Sequence, residues 1–239
     1  MYEGNRILGL VTARSGSKRL KNKNKLRING RSLVERAIDG ALSSKYVDRV
    51  VVSTDDEEIA LKAKSRGADV PFSRPVELGG NRASSVSVVL HALEELEREN
   101  ETFEYIILLQ PTSPLRTVTH IDDCIKFSFV KSAVAVVSIC KVGHPLAWAF
   151  RLDKNSTMFP FFESYDDTKR SQEFETTYIP NGALYFTSVD EVKKTKTFFP
   201  VKGLYGFEMR KAESLDIDDQ EDLEIANAVA IFKEGRALE

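Results

Sequence analysis

The chain has 239 residues, which at about 150 residues per domain reads as one large domain or one domain carrying an insertion. Hydrophobic residues make up 42% and charged residues 29%, ordinary globular usage that excludes disordered and fibrous architectures. Lys plus Arg is 34 and Asp plus Glu is 36, a net charge of −2, so no global basic excess points to nucleic acid or an anionic membrane.

Ile7 to Thr12 is a compact apolar run that reads as a buried strand. After a basic loop, Leu33, Val34, Ala37, Ile38, Ala41 and Leu42 recur at helical spacing, with Ser32 as N-cap. Arg49 to Thr54 holds three consecutive valines and predicts a β-branched strand. Asp55 and Asp56 then open a short helix that Gly67 closes. Val86, Val89, Leu90, Leu93 and Leu96 form a helical stripe begun by Ser84 or Ser85. Tyr105 to Leu109 predicts a strand, Thr117 to Val130 a helix with Ile121, Cys124 and Ile125 inward, and Ala133 to Ile139 a further buried strand.

The regular alternation stops near Lys141, and the segment to about Pro180 is rich in Phe, Pro, Asp and Thr. It predicts an excursion, partly extended and partly loop, holding Trp148, Phe150, Phe159, Phe161 and Phe162. Such an aromatic cluster serves as the core of a small subdomain or as a surface for a second subunit. Ala183 to Phe186 resumes a strand, Leu215 and Ile217 flank acidic residues on another, and Asp219 to Phe232 reads as a terminal helix. Strands alternating with helices predict parallel βαβ units in a three-layer α/β fold. Ligands in such folds bind outside the carboxyl ends of the strands. That rule gathers residues 12–24, 53–56, 110–116 and the loop with Asp216 and Asp218 at one mouth.

Cys124 and Cys140 lie in apolar stretches without a Cys or His at metal-ligand spacing, and read as buried thiols. The apolar runs are too short to span a bilayer and the first residues lack a secretory pattern, so the expectation is a cytoplasmic protein.

The sharpest chemical feature is TARSGSKRLKNKNK, residues 12–25, directly after the first strand. Arg14, Lys18, Arg19, Lys21, Lys23 and Lys25 alternate there with Ser15, Gly16, Ser17, Asn22 and Asn24. Small residues let backbone amides approach an anion while the cations neutralise it, as a triphosphate requires. Neither a Walker nor a dinucleotide glycine pattern is present. The second feature is Asp216 and Asp218, two apart on a predicted strand and so projecting from one face. Paired carboxylates are hard ligands suited to Mg²⁺; the competing reading is that Asp218 or Asp219 caps the following helix. In LLQPTSPLR, residues 108–116, Gln110 ends a strand where it can read a ligand's hydroxyl or amide; the plainer reading is a turn with Arg116 facing solvent. RPVELGGNRASS, residues 74–85, adds Arg74 and Ser85 beside a helix start, whereas His91 and His120 read as structural.

Taken in order, ARSGSKRLKNKN, VVSTDDEEIA, RPVELGGNRASS, LLQPTSPLR, IPNGALY and LDIDDQEDL resemble the CMP-sialic acid synthetases, or acylneuraminate cytidylyltransferases, from about residue 5 to 232. The resemblance implies a Rossmann-like nucleotidyltransferase fold with a mostly parallel sheet, one cytidylyltransferase domain over residues 1–239, and a dimerisation arm at about 141–180. It implies transfer of CMP from CTP to the anomeric hydroxyl of a nonulosonic acid, a nine-carbon 2-keto acid such as N-acetylneuraminic, legionaminic or pseudaminic acid, by a homodimer that binds no nucleic acid or membrane. By motif, Arg14, Ser17, Lys18, Lys23 and Asn24 would hold the CTP phosphates, with Arg14, Lys18, Lys23 and Asp218 catalytic. Arg74 and Ser85 would complete the nucleotide site. Gln110, Arg170, Tyr185, Phe198 and Phe199 would face the sugar acid, Arg170 reaching a second copy's site. Asp216 and Asp218 would hold Mg²⁺ or another divalent cation. An eight-carbon acid, as in the CMP-Kdo synthetases, and a silent nucleotide-binding module are the alternatives. Arg19 and Lys21 stand where the family commonly has Gly and Pro, while Ala147 and Ile179 replace basic residues on the sugar side, so the nucleotide is better specified than the acid.

Overall fold

The computed structural model describes residues 1–236 apart from 18, 81, 82, 164 and 167. Lys18, one of the expected phosphate ligands, lies outside the described residues. In chain order the elements begin with β1 (Ile7–Thr12), β2 (Arg27–Ile28), β3 (Arg31–Ser32), α1 (Leu33–Leu42), β4 (Arg49–Ser53) and α2 (Glu57–Ser65). Next come α3 (Val76–Gly79), α4 (Ser85–Arg98), β5 (Tyr105–Leu109), α5 (Val118–Val130) and β6 (Ala135–Lys141). The excursion contributes β7 (Phe150–Leu152) and β8 (Met158–Pro160), and β9 (Tyr178–Ser188), α6 (Val189–Thr195), β10 (Leu204–Glu208) and α7 (Gln220–Arg236) complete the chain.

The central sheet runs β10-β6-β9-β5-β1-β4. β1 pairs in parallel with β4 and β5, as β6 does with β10, while β9 is antiparallel to both neighbours. The expected βαβ alternation therefore holds except at β9, where the chain returns from the excursion in the opposite direction. Strand periodicity divides the core between the two faces. Ile7, Val11, Ile107 and Leu109 pack with α1, α2 and α5 on one side. Leu8, Leu10, Ile106 and Leu108 pack with α4 and α6 on the other. A third cluster joins Ile28, Leu33, Leu115 and Ile217 to Ala226 and Ala230 of α7. Both cysteines are free and buried.

Local signals set several boundaries. Ser32 Oγ accepts from Glu35 N at 3.3 Å while the Glu35 carboxylate accepts from Ser32 N at 2.8 Å, a capping box that fixes the start of α1. The Ser84 hydroxyl caps α4 by accepting from Ser87 N, and Thr117 caps α5 in a reciprocal box with His120. Gly9 lies where a Cβ would come 2.8 Å from Val47 Cγ1, so a larger residue at that point of β1 would have to displace the Val47 side chain. Gly67, at φ +93°, takes the left-handed conformation that ends α2.

The excursion obeys a different rule. Trp148 meets Phe174 edge-on at 5.7 Å and Phe150 meets Tyr165 at 4.9 Å, yet Phe159, Phe161 and Phe162 keep 42%, 63% and 40% of their surface exposed. The accessible area is 13430 Å², above the roughly 10,800 Å² expected for a compact monomer of this mass.

One expectation is corrected, and one of two open readings is set aside. Residues 214–218 form no strand, because the sheet ends at β10 and β4 without them. Arg116 does not face solvent: it donates to the Gln110 and Ala183 carbonyls at 3.1 and 2.7 Å, and desolvation lowers its pKa to about 10.

Candidate active site

Because β1, β4 and β5 are parallel, their carboxyl ends open on one edge of the sheet, and a cleft of about 640 Å³ lies there. Arg14, Ser17, Arg19, Lys23 and Asn24 line it from the loop after β1, and Arg74, Ser84 and Ser85 from the approach to α4. Gln110 and Thr112 enter from the turn after β5, and Asp216 and Asp218 from the segment before α7. Residues at the two ends of the sequence thus share one cavity.

The basic loop is shaped by its own polar contacts. Ser15 donates through N and Oγ to Asp55 at 2.7 and 2.8 Å, clasping the loop to the end of β4. Burial alone would raise the Asp55 carboxyl, but these two bonds hold it below the ordinary value. Asn24, 5% exposed, donates to the Arg14 carbonyl at 2.9 Å, and Arg14 donates to the Gly79 carbonyl at 3.3 Å. Asn24 therefore shapes the loop from beneath. Lys25 pairs with Asp56 at 2.8 Å and Glu58 at 2.7 Å, so its charge is spent outside the cleft. Residues 53–56 follow β4 at the same edge of the sheet but do not line the cleft; Asp55 instead holds its basic loop. Arg74, 5% exposed, donates through Nε to Ser53 Oγ at 3.1 Å, and its pKa falls to about 10 through desolvation.

The carboxylate pair is presented by Ile217. That side chain is wholly buried, and its backbone N–H donates to the Thr112 carbonyl at 2.8 Å. With Ile217 turned into the core, Asp216 and Asp218 occupy the open side. Asp219, rather than Asp218, caps α7: its Oδ1 accepts from Asp222 N at 3.0 Å. Lys23 Nζ reaches Asp218 Oδ1 at 3.0 Å and the Ile217 carbonyl at 2.7 Å, and Arg19 reaches Asp218 Oδ2 at 3.2 Å. Desolvation raises the Asp216 carboxyl above its ordinary value; a Thr112 hydroxyl bond and Lys23 oppose the rise, and the Asp218 and Asp222 charges add to it.

A second network supports this segment from below. Asn181 of β9, 6% exposed, donates to Ser214 Oγ at 2.9 Å and accepts from Ser138 of β6 at 2.5 Å. Glu213 binds Lys233 of α7 and lies 3.3 Å from His120 at the start of α5. Nothing in the sequence motifs singled out Asn181, Glu213, Thr112 or Asp55 for these roles.

The sugar-side candidates are only partly gathered. Gln110 lines the cleft, and its amide donates to Ser85 Oγ at 3.3 Å. Tyr185 stands outside the lining, with Phe198 at 5.2 Å and Phe199 at 6.2 Å between ring centroids. Burial and then the Asp216 charge raise its phenol. Gly182 lies beside the cleft wall, where a Cβ would come 3.0 Å from Gln110 Oε1 and 3.7 Å from Asp216 Oδ2. Phe198 is 3% exposed and packs as core, whereas Phe199 is 48% exposed. Arg170 stands on the excursion and does not line the cleft.

Two carboxylates on one wall fit a divalent cation that shares its ligands with phosphate oxygens. Among the described residues no group of three or more His, Cys, Asp or Glu forms a cage for a metal. No helix among them is long and apolar enough to cross a membrane.

The chain matches the model of the cytidylyltransferase family over residues 8–239. It is 38% identical over 222 residues to an N-acylneuraminate cytidylyltransferase of Escherichia coli, covering 92% of this chain and 51% of that protein. It is 32% identical over 220 residues to a pseudaminic acid cytidylyltransferase of Campylobacter jejuni, covering 92% and 94%. The chain thus spans about half the length of the first relative and nearly all of the second. In three dimensions it resembles a CMP:2-keto-3-deoxy-manno-octonic acid synthetase complexed with CTP, with a TM-score of 0.69, 16% identity, and coverage of 95% of this chain and 99% of that one. That likeness supports the Rossmann-like nucleotidyltransferase fold.

Proposed function

Since the chain belongs to the cytidylyltransferase family, we propose that it joins CTP to the anomeric hydroxyl of a nine-carbon 2-keto sugar acid and releases pyrophosphate. The observation that carries this reading is the 3.0 Å contact of Lys23 with Asp218 inside a cleft also lined by Arg14, Ser17 and Arg74. Cations and hydroxyls for a triphosphate meet there with acidic oxygens for a metal and an incoming hydroxyl.

In the proposed reaction, the sugar hydroxyl oxygen forms a bond to the α-phosphorus and the bond to the bridging oxygen of pyrophosphate breaks. Negative charge builds on the equatorial and leaving oxygens, so fixed cations supply most of the stabilisation. Arg14 and Lys23 supply that charge from the loop after β1, joined by Lys18, while Ser17 donates hydrogen bonds and Asn24 holds the loop's shape. Asp216 and Asp218 would hold Mg²⁺, which when bound neutralises phosphate charge. The hydroxyl proton passes to this carboxylate wall, where Asp218 stands next to the chemistry. Arg74 and Ser85 frame the nucleotide beside the N-terminus of α4. Gln110, bonded to Ser85, would face the acid together with Tyr185, Phe198 and Phe199.

The reading extends to a homodimer acting in the cytoplasm. The exposed Phe159, Phe161 and Phe162 of residues 141–180 form the arm, and Arg170 on that arm reaches the acid bound to a second copy. The test is incubation with CTP, Mg²⁺ and a panel of N-acetylneuraminic, legionaminic, pseudaminic and eight-carbon acids, assayed for pyrophosphate. Turnover with a nine-carbon acid is the expected outcome. Turnover with the eight-carbon acid alone moves the substrate to that class, and CTP binding without turnover on any acid leaves a nucleotide-binding module.

A further inference from the structure

Asp218 is held by two cations of different character. Lys23 approaches Oδ1 at 3.0 Å, is only 17% exposed, and is anchored a second time on the Ile217 carbonyl at 2.7 Å. Arg19 approaches Oδ2 at 3.2 Å from a side chain that is 77% exposed, and Asp218 is its only partner among the described residues. Both of the carboxylate's oxygens are therefore engaged, one by a fixed ammonium and one by an exposed guanidinium. Asp216 adds a second negative charge on the same wall.

A divalent cation arriving at Oδ2 competes with the guanidinium for the charge of the same oxygen, and the more weakly held of the two side-chain cations is the one it displaces. Lys23 is held by its second bond; Arg19 is not. An exposed ion pair is weak and easily exchanged, and a guanidinium matches two phosphate oxygens with its planar fork. Arg19 already lines the cleft in which the triphosphate would lie. We propose that Arg19 is an exchange cation: it neutralises Asp218 while that carboxylate carries no metal, and turns onto the nucleotide phosphates when a divalent ion takes its place. The inference rests on the reading of Asp216 and Asp218 as metal ligands. It gives Arg19 two opposed effects, competition with the metal and attraction for the nucleotide, which a purely structural residue would not combine.

The test uses the full chain, with Mn²⁺ as the metal probe followed by electron paramagnetic resonance in the absence of nucleotide. Arg19→Ala binds Mn²⁺ about two- to fivefold more tightly than the unmodified protein, the range set by losing one exposed ion pair. The same variant binds CTP at saturating Mg²⁺ about tenfold more weakly by titration calorimetry, without any sugar acid, for loss of a charged phosphate contact. Because Arg19 is exposed, the thermal midpoint stays unchanged. Unaltered or weaker Mn²⁺ binding in Arg19→Ala, or unaltered CTP binding, overturns the exchange role. Asp218→Asn separates this failure from that of the underlying reading. Loss of Mn²⁺ binding in Asp218→Asn beside no change in Arg19→Ala removes the exchange role alone, whereas wild-type Mn²⁺ affinity in Asp218→Asn removes the metal site and the exchange role with it.

Discussion

Ile107 and Leu108 in the centre of β5 are wholly buried, whereas Met158 and Phe161 on the excursion keep 58% and 63% of their surface exposed. Both regions carry large apolar side chains and differ in what covers them. The sheet's two faces are closed by helices of the same chain, and every cleft residue stands on that closed body or on a loop bonded to it. The excursion has only short ladders and paired rings, which half-bury Trp148 and Phe150 but leave Phe159, Phe161 and Phe162 exposed. Convergence of the cleft's charged side chains is therefore a property of one chain.

The largest effects separate chemistry from folding within the first region. Lys23→Ala and Asp218→Asn each lower kcat by about 10² or more, as loss of a single transition-state partner does elsewhere, with little change in melting temperature. Steady-state kinetics beside a thermal melt checks this, and a matching fall in stability would make the residues structural. Next in size is the contrast between the regions themselves. Leu108→Ala costs about 2–5 kcal/mol in urea denaturation, because it opens a cavity in a filled core. Phe161→Ser changes monomer stability by under about 0.5 kcal/mol, yet shifts sedimentation from dimer to monomer.

How legible this division was in the sequence depends on the range of the interactions involved. β1 and β5 follow the predicted Ile7–Thr12 and Tyr105–Leu109 runs because a buried strand needs only a short apolar segment. Ser32, Ser84 and Thr117 are caps because the pattern is local, a hydroxyl bonded three residues on. The short ladder of β2 and β3 and the edge strand β10 (Leu204–Glu208) carried too little periodicity to predict. The site was legible in residue type and only partly in role. Arg14, Lys23, Asp216 and Asp218 do converge, but Asn24 and Arg74 are largely occupied with backbone and neighbouring hydroxyls. Asp55 and Asn181 hold the two walls through contacts 40 and 33 residues away in sequence, and no local pattern announces such a partner.

Smaller effects sharpen the picture of the supporting body. Ser32→Ala removes a helix cap and costs about 1 kcal/mol by chemical denaturation, with kcat unchanged. The smallest is acid sensitivity beneath the carboxylate segment. Burial lowers the His120 pKa against the attraction of Glu213. Burial would raise Glu213, but the Lys233 bond lowers it. Both groups bind fewer protons folded than unfolded, so their contribution is present at neutral pH and is lost as the pH falls. The loss begins near the ordinary histidine value of about 6.5 and continues through the carboxylate range. His120→Asn flattens the first limb in melting curves taken from pH 7.5 to 5.5; an unaltered slope would assign it to other groups.

The central claim is that Lys23 and Asp218, 195 positions apart, act on the same phosphates. A double-mutant cycle on kcat with Lys23→Ala and Asp218→Asn measures this directly. If the claim holds, the double variant is no more than about threefold slower than the slower single variant, since groups that act as a unit are lost together. If the two losses multiply in full, the residues work independently and the shared triphosphate site is contradicted.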